Sequence, residues 1–481
     1  MNYYIGLDLG TSGLKGLLVD RLGNVIKESN ESYPVHYPCD GWSEQNPEDW
    51  IVATRKIVKT LSQGVEEDVK GISIGGQMHG LVILDDQDKV IRPAILWNDG
   101  RTQKQTDYLN DVIGKERLSA LTANIAFAGF TAPKILWMKE NEPENFAKIA
   151  KIMLPKDYVA YMLTGVHSCD YSDASGTLLL DVEHKRWSKD MCQICSVKEE
   201  WLPRLYESYE VTGKVLKEFG LPNAVFVAGA GDNAAAAIGT GTVKNGSCNI
   251  SLGTSGTVFI SGDTFSVDKK NALHAFAHAN GKWHLMGCIL SAASANKWWL
   301  EDILKTNDYA GAIKDVSLGE NSVYFLPYLM GERSPHNDVN ARGAFLGMRA
   351  NTTREEMNLA VLEGVAFALR DCVEVARSSG IVVSKTAICG GGAKSEVWKK
   401  IIANVLNAEV VSLETEQGPS YGAAILAMVG TGEYATVKEA TDRIVKEKSS
   451  VLPEKDLTEK YEAKYQKFKK LYPCLKNWFE E

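Results

Sequence analysis

The chain of 481 residues contains no apolar run approaching the ~18 residues that a membrane-spanning helix needs. Its opening, Met1-Asn2-Tyr3-Tyr4-Ile5-Gly6, lacks the basic segment of a secretory leader, so a cytoplasmic protein is expected. No Pro-rich or Gln/Asn-rich tract breaks the sequence, which argues for a packed fold throughout. There is no excess of positive charge: 53 Lys and Arg face 61 Asp and Glu, a net charge of −8. Nucleic-acid binding depends on cations that neutralise phosphates, so no nucleic-acid partner is expected. The nine cysteines are scattered and odd in number, as suits free thiols in a reducing compartment. Cys192-Gln193-Ile194-Cys195 has CxxC spacing, but no second Cys or His pair follows at the distance a zinc site requires.

Two common phosphate cradles are missing as well. Gly390-Gly391-Gly392-Ala393-Lys394-Ser395 has Ala where the Walker A pattern has Gly before its Lys. Gly239-Thr240-Gly241-Thr242-Val243-Lys244 starts like a dinucleotide fingerprint and ends without the third Gly.

What the chain does have is an internal echo. Its length exceeds the ~250 to 300 residues at which one hydrophobic core stops growing, so two domains are expected. Leu9-Gly10-Thr11-Ser12-Gly13 recurs 243 residues later as Leu252-Gly253-Thr254-Ser255-Gly256, close to half the chain length. In both copies a β-rich run precedes the pentapeptide (Tyr3 to Leu7; Ser247 to Ile250) and another follows it (Leu14 to Val19; Thr257 to Ile260). Each reads as a β-hairpin at the head of a duplicated domain. After the first hairpin come a strand (Val25 to Tyr33), a helix entered through Asn46-Pro47 (Pro47 to Ser62) and a strand (Val69 to Ile74). A short strand, Val82 to Leu84, and helices over Arg101 to Asn110, Pro133 to Glu140 and Lys156 to Leu163 follow. The second half offers strands Val323 to Leu326, Thr386 to Cys389 and Val410 to Leu413, with helices Ala293 to Leu304, Arg354 to Ser378 and Glu396 to Leu406. An α/β fold results, with a boundary placed in the Gly/Thr-rich stretch before Lys244, giving domains 1–243 and 244–481. The mixed Lys/Glu stretch Lys455 to Lys470 reads as a solvated helix face.

The two Gly/Thr/Ser turns are the chain's own candidate phosphate nests, since small residues let anions approach successive backbone N–H groups. Gly10, Thr11 and Ser12 form one, entered by Asp8 and left by Lys15; Gly253 and Thr254 belong to the other. Asp8 ends an apolar strand, where a carboxylate is costly unless it has a partner or a task. Asp232 stands between Gly231 and the run Asn233-Ala234-Ala235-Ala236-Ala237. It can cap that helix, and a carboxylate at a Gly-exposed helix start can also accept a hydroxyl proton. Gln77-Met78-His79 lies between glycines at a strand end, where α/β folds hold ligands, and Trp97-Asn98-Asp99 combines an apolar face with polar groups in a way that suits a sugar.

With these residues in view, the chain resembles the FGGY carbohydrate kinase family over essentially its whole length. The resemblance is carried by Ile5 to Ser12, Gln77 to Gly80, Leu96 to Asp99, Leu154-Pro155-Lys156-Asp157-Tyr158, Gly229 to Asn233, Ser251 to Gly256 and Gly390 to Ala393. It implies two ribonuclease-H-like (actin-like ATPase) domains with sugar and ATP in a central cleft, the N-terminal one binding sugar and the C-terminal one ATP. It implies that Asp232 is the general base and that Asp8 lies in the phosphate and Mg2+ region, holding the metal through water. Met78 and His79 would line the sugar site together with Gln77, Trp97, Asn98, Asp99 and Asn233. Gly10, Thr11, Ser12, Lys15, Gly253 and Thr254 would meet phosphates, with Gly391, Gly392 and Ser395 on the nucleotide side. Lys15 stands where some members carry Arg. The Gln77 to Gly80 run points to D-xylulose as acceptor, against another ketose or polyol, or an actin-like ATPase or a sugar sensor without kinase activity. Homodimerisation is compatible with this reading.

Overall fold

The computed structural model describes residues 1–314 and 316–480. The chain divides into two compact units that do not follow chain order throughout: the first gathers 1–243, 275–283 and 417–445, and the second holds the rest.

The first unit is built on a sheet whose leading hairpin is the one expected. β1 (Tyr3–Leu9) and β2 (Gly13–Asp20) pair antiparallel, with Leu9 opposite Leu14 and Asp8 opposite Lys15. β3 (Val25–Ser32) closes this edge, its residues alternating between half-buried and exposed. β4 (Val69–Gly76) runs parallel to β1, β6 (Val225–Gly231) runs parallel to β4, and β5 (Val211–Lys214) is antiparallel to β6. The resulting order is β3-β2-β1-β4-β6-β5.

The helix Pro47–Ser62 forms where its signals put it. The Asn46 side chain accepts from the Glu48 N–H, Pro47 occupies the first turn, Glu48 and Asp49 face the positive end, and Lys59 sits in the last turn. Its apolar stripe of Trp50, Ile51, Ile57, Val58 and Leu61 is buried with Leu14 and Leu18 of β2 in one core. Trp50 is fully buried, so Trp50→Ala costs about 3 to 5 kcal/mol. The helix Pro419–Gly430 lies so close to β1 that a Cβ on Gly6 would stand 1.9 Å from the Ser420 carbonyl oxygen. That approach brings residues some 400 positions apart into one core.

The second unit repeats the plan. β7 (Cys248–Leu252) and β8 (Gly256–Gly262) form its hairpin; β9 (His274–Ala277), whose residues from 275 on are grouped with the first unit, and β10 (Trp283–Ile289) complete this edge of the sheet. β11 (Lys385–Cys389) is parallel to β7, β12 (Glu409–Leu413) is parallel to β11, and β13 (Glu447–Val451) is antiparallel to β12. The order is β9-β10-β8-β7-β11-β12-β13; its hairpin and two parallel strands repeat the first sheet, while the antiparallel edge strand β13 follows its neighbour β12 in the chain, where β5 precedes β6. The expected α/β fold of two ribonuclease-H-like domains is therefore present. Helices Arg354–Ser378 and Glu396–Leu406 have the expected limits, the first closed by a capping box between Thr353 and Glu356.

Three expectations change. The stretch Arg101 to Asn110 is helical only over Gln103–Asp107 and then widens into π turns over Tyr108–Gly114. Ala293 to Leu304 likewise widens over Trp298–Ile303. There the adjacent Trp298 and Trp299 pack on Phe325 and Phe345, with ring centroids 6.4 and 4.9 Å apart, and a wider turn lets neighbouring side chains reach both. Third, the helix Lys455–Phe468 is more than a solvated face: Leu457, Tyr461, Lys464, Tyr465 and Phe468 are buried along one side, and the Lys464 ammonium meets the Glu363 carboxylate at 2.8 Å. All nine cysteines are free, and Cys192 and Cys195 are buried with their thiols pushed up to about 11 and about 12 by burial. Among the described residues no helix is long and apolar enough to cross a membrane.

Candidate active site

Strand order brings Asp8 and Asp232 to the same end of the sheet. On either side of β4, Asp8 of β1 is opposite Gly75 and Gly231 of β6 is opposite Gly76. The two carboxylates thus leave the carboxyl ends of parallel strands, flanking a strand that carries no side chain there. Burial, and then the Asp232 charge, push the Asp8 carboxyl up to about 7, with Lys15 opposing. Burial pushes Asp232 up to about 6. Asp232 does not cap its helix. Gly231 occupies the cap position, and Asp232 is the first residue of the helix Asp232–Gly239, where negative charge is favoured. Its Oδ1 accepts from the Asn233 N–H at 2.7 Å and from Asn233 Nδ2 at 3.0 Å.

Met78 lies against Gly231, the residue before Asp232, and His79 follows it in the chain. Met78 is buried, and its Sδ lies 2.9 Å from where a Cβ on Gly231 would stand. His79 adopts φ +70°, an unusual conformation for a residue with a Cβ. It is held there by its carbonyl oxygen, which accepts from Thr131 Oγ1 at 3.0 Å and Lys134 Nζ at 2.8 Å. The His79 ring stacks on Phe130 with centroids 4.5 Å apart, and its Nδ1 lies 2.7 Å from the Gly176 carbonyl oxygen. Burial pushes the Lys134 ammonium down to about 7, with Asp99 opposing.

The other expected sugar residues divide. Gln77 is buried in a network that fixes the first turn: its Nε2 donates to Gln45 Oε1 at 3.1 Å, Thr11 Oγ1 donates to Gln77 Oε1 at 3.3 Å, and Gln45 Nε2 donates to the Thr11 carbonyl at 2.6 Å. Asp99 is committed to Ser43 N–H at 2.6 Å and to Arg101 at 2.8 and 2.7 Å. Trp97 and Asn98 remain exposed, with Trp97 Nε1 donating to Thr11 Oγ1 at 3.0 Å. Ser12 is exposed, the Gly10 carbonyl accepts from the Tyr33 hydroxyl at 2.6 Å, and Lys15 reaches Gln417 and, at 3.5 Å, Glu28. The supporting residues Gln45, Lys134 and Thr131 were not singled out from the sequence. Their partners lie 32 to 55 positions away, beyond local pattern.

In the second unit Thr254, Gly391, Gly392 and Ser395 line one open cavity of about 870 Å³, together with Asn296 and Tyr309. Gly253 lies beside it in the turn, its carbonyl accepting from the Ala293 N–H at 2.9 Å. Ser395 Oγ caps the helix Glu396–Leu406 through the Trp398 N–H at 3.3 Å, so a helix N-terminus opens on the cavity, as suits an anionic ligand. A Cβ on Gly391 would meet nothing within 4 Å.

Residues 3–239 match the N-terminal domain and residues 248–431 the C-terminal domain of the FGGY family of carbohydrate kinases. A protein named xylulose kinase from Lactococcus lactis subsp. lactis (strain IL1403) is 41% identical over 486 residues, covering 98% of this chain and 97% of its own length. The xylulose kinase of Escherichia coli (strain K12) is 40% identical over 482 residues, covering 98% and 99%. The crystal structure of a xyloylose kinase from Brucella ovis superposes with a TM-score of 0.94 at 39% identity, over 99% of this chain and 100% of the other. On the duplicated sheet, the paired carboxylates and these full-length matches, the chain belongs to the FGGY family of carbohydrate kinases.

Proposed function

We propose that the protein transfers the γ-phosphoryl group of ATP to D-xylulose, giving ADP and D-xylulose 5-phosphate. The observation that carries this reading is Asp232: a buried carboxylate with its pKa near 6, tied through one oxygen to Asn233, with Met78 packed against the preceding Gly231. The similarity to xylulose kinases over almost the whole chain supports the choice of sugar.

Near neutral pH a carboxyl with a pKa of about 6 is mostly ionised yet basic enough to take a proton. As the sugar oxygen bonds to the γ-phosphorus, its proton passes to Asp232, and the bond from phosphorus to the β–γ bridging oxygen breaks to release ADP. Such transfers depend on positioning and charge neutralisation more than on covalent chemistry. Met78 and the stacked, clamped His79 orient the sugar, with Trp97 and Asn98 as its exposed wall. Thr254, Gly391 and Gly392 receive the nucleotide. This assigns sugar to residues of 1–243 and nucleotide to residues of 244–481.

Magnesium fits Asp8. The buried carboxylate is a hard oxygen donor whose proton a nearby cation would displace. A magnesium ion that keeps most of its waters needs only one or two carboxylates from the protein. Bound there, it would offset phosphate charge. The need for ATP fits a cytoplasmic location.

Coupled measurement of ADP release over a panel of pentuloses, polyols and glycerol tests the reading. D-xylulose is expected to give the highest kcat/KM. A higher value on another sugar overturns the acceptor, and ADP release that no sugar stimulates overturns the kinase assignment.

A further inference from the structure

The motif Leu154-Pro155-Lys156-Asp157-Tyr158 contributes to the family resemblance, yet the reaction as described gives it no task. In the structure Lys156 is a fully buried cation at the start of the helix Pro155–Thr164. Its Nζ donates to Asp157 Oδ1 at 2.7 Å and lies 2.9 Å from Asp170 Oδ1 and 3.6 Å from Asp173 Oδ2. One ammonium therefore serves three buried carboxyls. Neither Asp173 oxygen has a hydrogen-bond partner among the described residues.

From Asp170 a line of hydrogen bonds leads out of this cluster. Asp170 Oδ2 accepts from Ser172 Oγ at 2.5 Å, from the Ser172 N–H at 2.8 Å and from Ser208 Oγ at 2.8 Å. With its O–H donating to Asp170, Ser172 Oγ accepts from the Gly231 N–H at 3.1 Å. Gly231 is the last residue of β6, the cap of the next helix and the residue before Asp232. The segment that carries Asp170 and Ser172 continues to Gly176, whose carbonyl oxygen meets His79 Nδ1.

A buried charge cluster is a poor source of stability, because apolar residues of similar volume often serve as well or better. What apolar residues cannot do is take a hydrogen bond from one chosen backbone N–H. We propose that Lys156, Asp170 and Ser172 are positioning residues that hold Gly231, and through it fix where the Asp232 carboxylate stands. This rests on the reading of Asp232 as the proton acceptor. A base displaced by a fraction of an ångström loses rate steeply, while sugar and nucleotide held by other groups bind as before.

The test uses the full chain. Ser172→Ala removes one hydroxyl and no charge, so folding is expected to survive. Its kcat should fall about tenfold, while KM for sugar and for ATP stay within about twofold. Lys156→Met keeps side-chain length and removes the ammonium; where it folds, it should lose at least as much. The double variant should then lose no more than the worse single one, because both cut the same line. A Ser172→Ala enzyme with lowered Tm and unchanged kcat overturns the proposal, as do losses that multiply in the double variant. Each variant is compared with wild type on whichever sugar the wild type phosphorylates. A different sugar preference would therefore revise the acceptor and leave this test standing.

Discussion

The two Leu-Gly-Thr-Ser-Gly turns share five residues and differ in almost everything that surrounds them. In the first, Leu9 pairs with Leu14, leaving Gly10 to Gly13 between them; in the second, Leu252 pairs with Gly256, leaving 253 to 255. That one-residue change in register makes Lys15 the cross-strand partner of Asp8, whereas Ser251 faces Thr257. The first turn is thus flanked by a carboxylate and a cation and braced by Tyr33, Gln45 and Trp97. The second is flanked by hydroxyls and packs its carbonyls against the N–H groups of Ala292, Ala293 and Ser294. An identical pentapeptide supplies the bend, and the neighbours decide whether charge chemistry or a neutral cradle is built on it.

If charge chemistry belongs to the first unit, Asp232→Asn should show the largest effect of any substitution. Asn keeps the volume and cannot accept a proton, so kcat should fall by roughly 10² to 10⁴ with sugar affinity largely retained. Asp8→Asn should lose less, about 10- to 100-fold, and regain part of it at high magnesium, which Asp232→Asn should not. Initial rates over a magnesium titration separate the two, and near-wild-type kcat in Asp232→Asn would remove the base role.

On the sugar side, His79→Ala keeps the strained backbone and removes the ring stacked on Phe130. KM for sugar should rise about tenfold with KM for ATP within about twofold, as for a ground-state binding group. A matching rise in KM for ATP would erase the division between the units.

The same carboxylates predict a pH signature in stability. Asp8 and Asp232 have folded pKa values of about 7 and about 6, above the ordinary Asp range. Between pH ~4 and ~7 the folded chain therefore holds protons that the unfolded chain releases, and stability declines as pH rises through this window. Asp8→Asn removes the penalty. Without ligands its Tm should exceed that of the wild type by a few degrees at pH 8 and by little at pH 4. Equal Tm differences at both values would contradict the burial-driven shift.

Much of this was readable from local pattern. The limits of Pro47–Ser62, Arg354–Ser378 and Glu396–Leu406 follow from caps and apolar spacing within each segment. Asp8 and Asp232 stood out as carboxylates set against glycine and apolar runs. Less readable was whatever depends on distant partners. The return of 417–445 to the first unit rests on contacts such as Gly6 against Ser420. The polar atoms of Gln77 and Asp99 are engaged by Gln45, Thr11, Ser43 and Arg101, so residues that look like sugar ligands in sequence also brace the site. The π turns at Tyr108 and Trp298 leave no mark in the sequence because one widened turn barely alters hydrophobic spacing.

The smallest expected effect probes the neutral cradle of the second unit. Gly390 has φ +89° and its Cβ would stand 2.7 Å from the Leu252 carbonyl oxygen; a Cβ on Gly392 would stand 2.9 Å from both Leu252 and Trp398. Substitution at either would disturb the fold, so neither isolates ligand binding. Gly391 between them has no atom within 4 Å of its would-be Cβ and lines the 870 Å³ cavity. Gly391→Val should therefore leave Tm within about a degree or two of wild type while placing methyl groups in space assigned to the nucleotide. KM for ATP should rise about three- to tenfold, with kcat and KM for sugar nearly unchanged, because lost uniform binding appears in KM alone. Asp232→Asn and Gly391→Val then form opposite ends of one comparison, the first removing rate and the second removing nucleotide affinity. Unaltered KM for ATP in a stable Gly391→Val enzyme would take the nucleotide out of this cavity and with it the role assigned to the second turn.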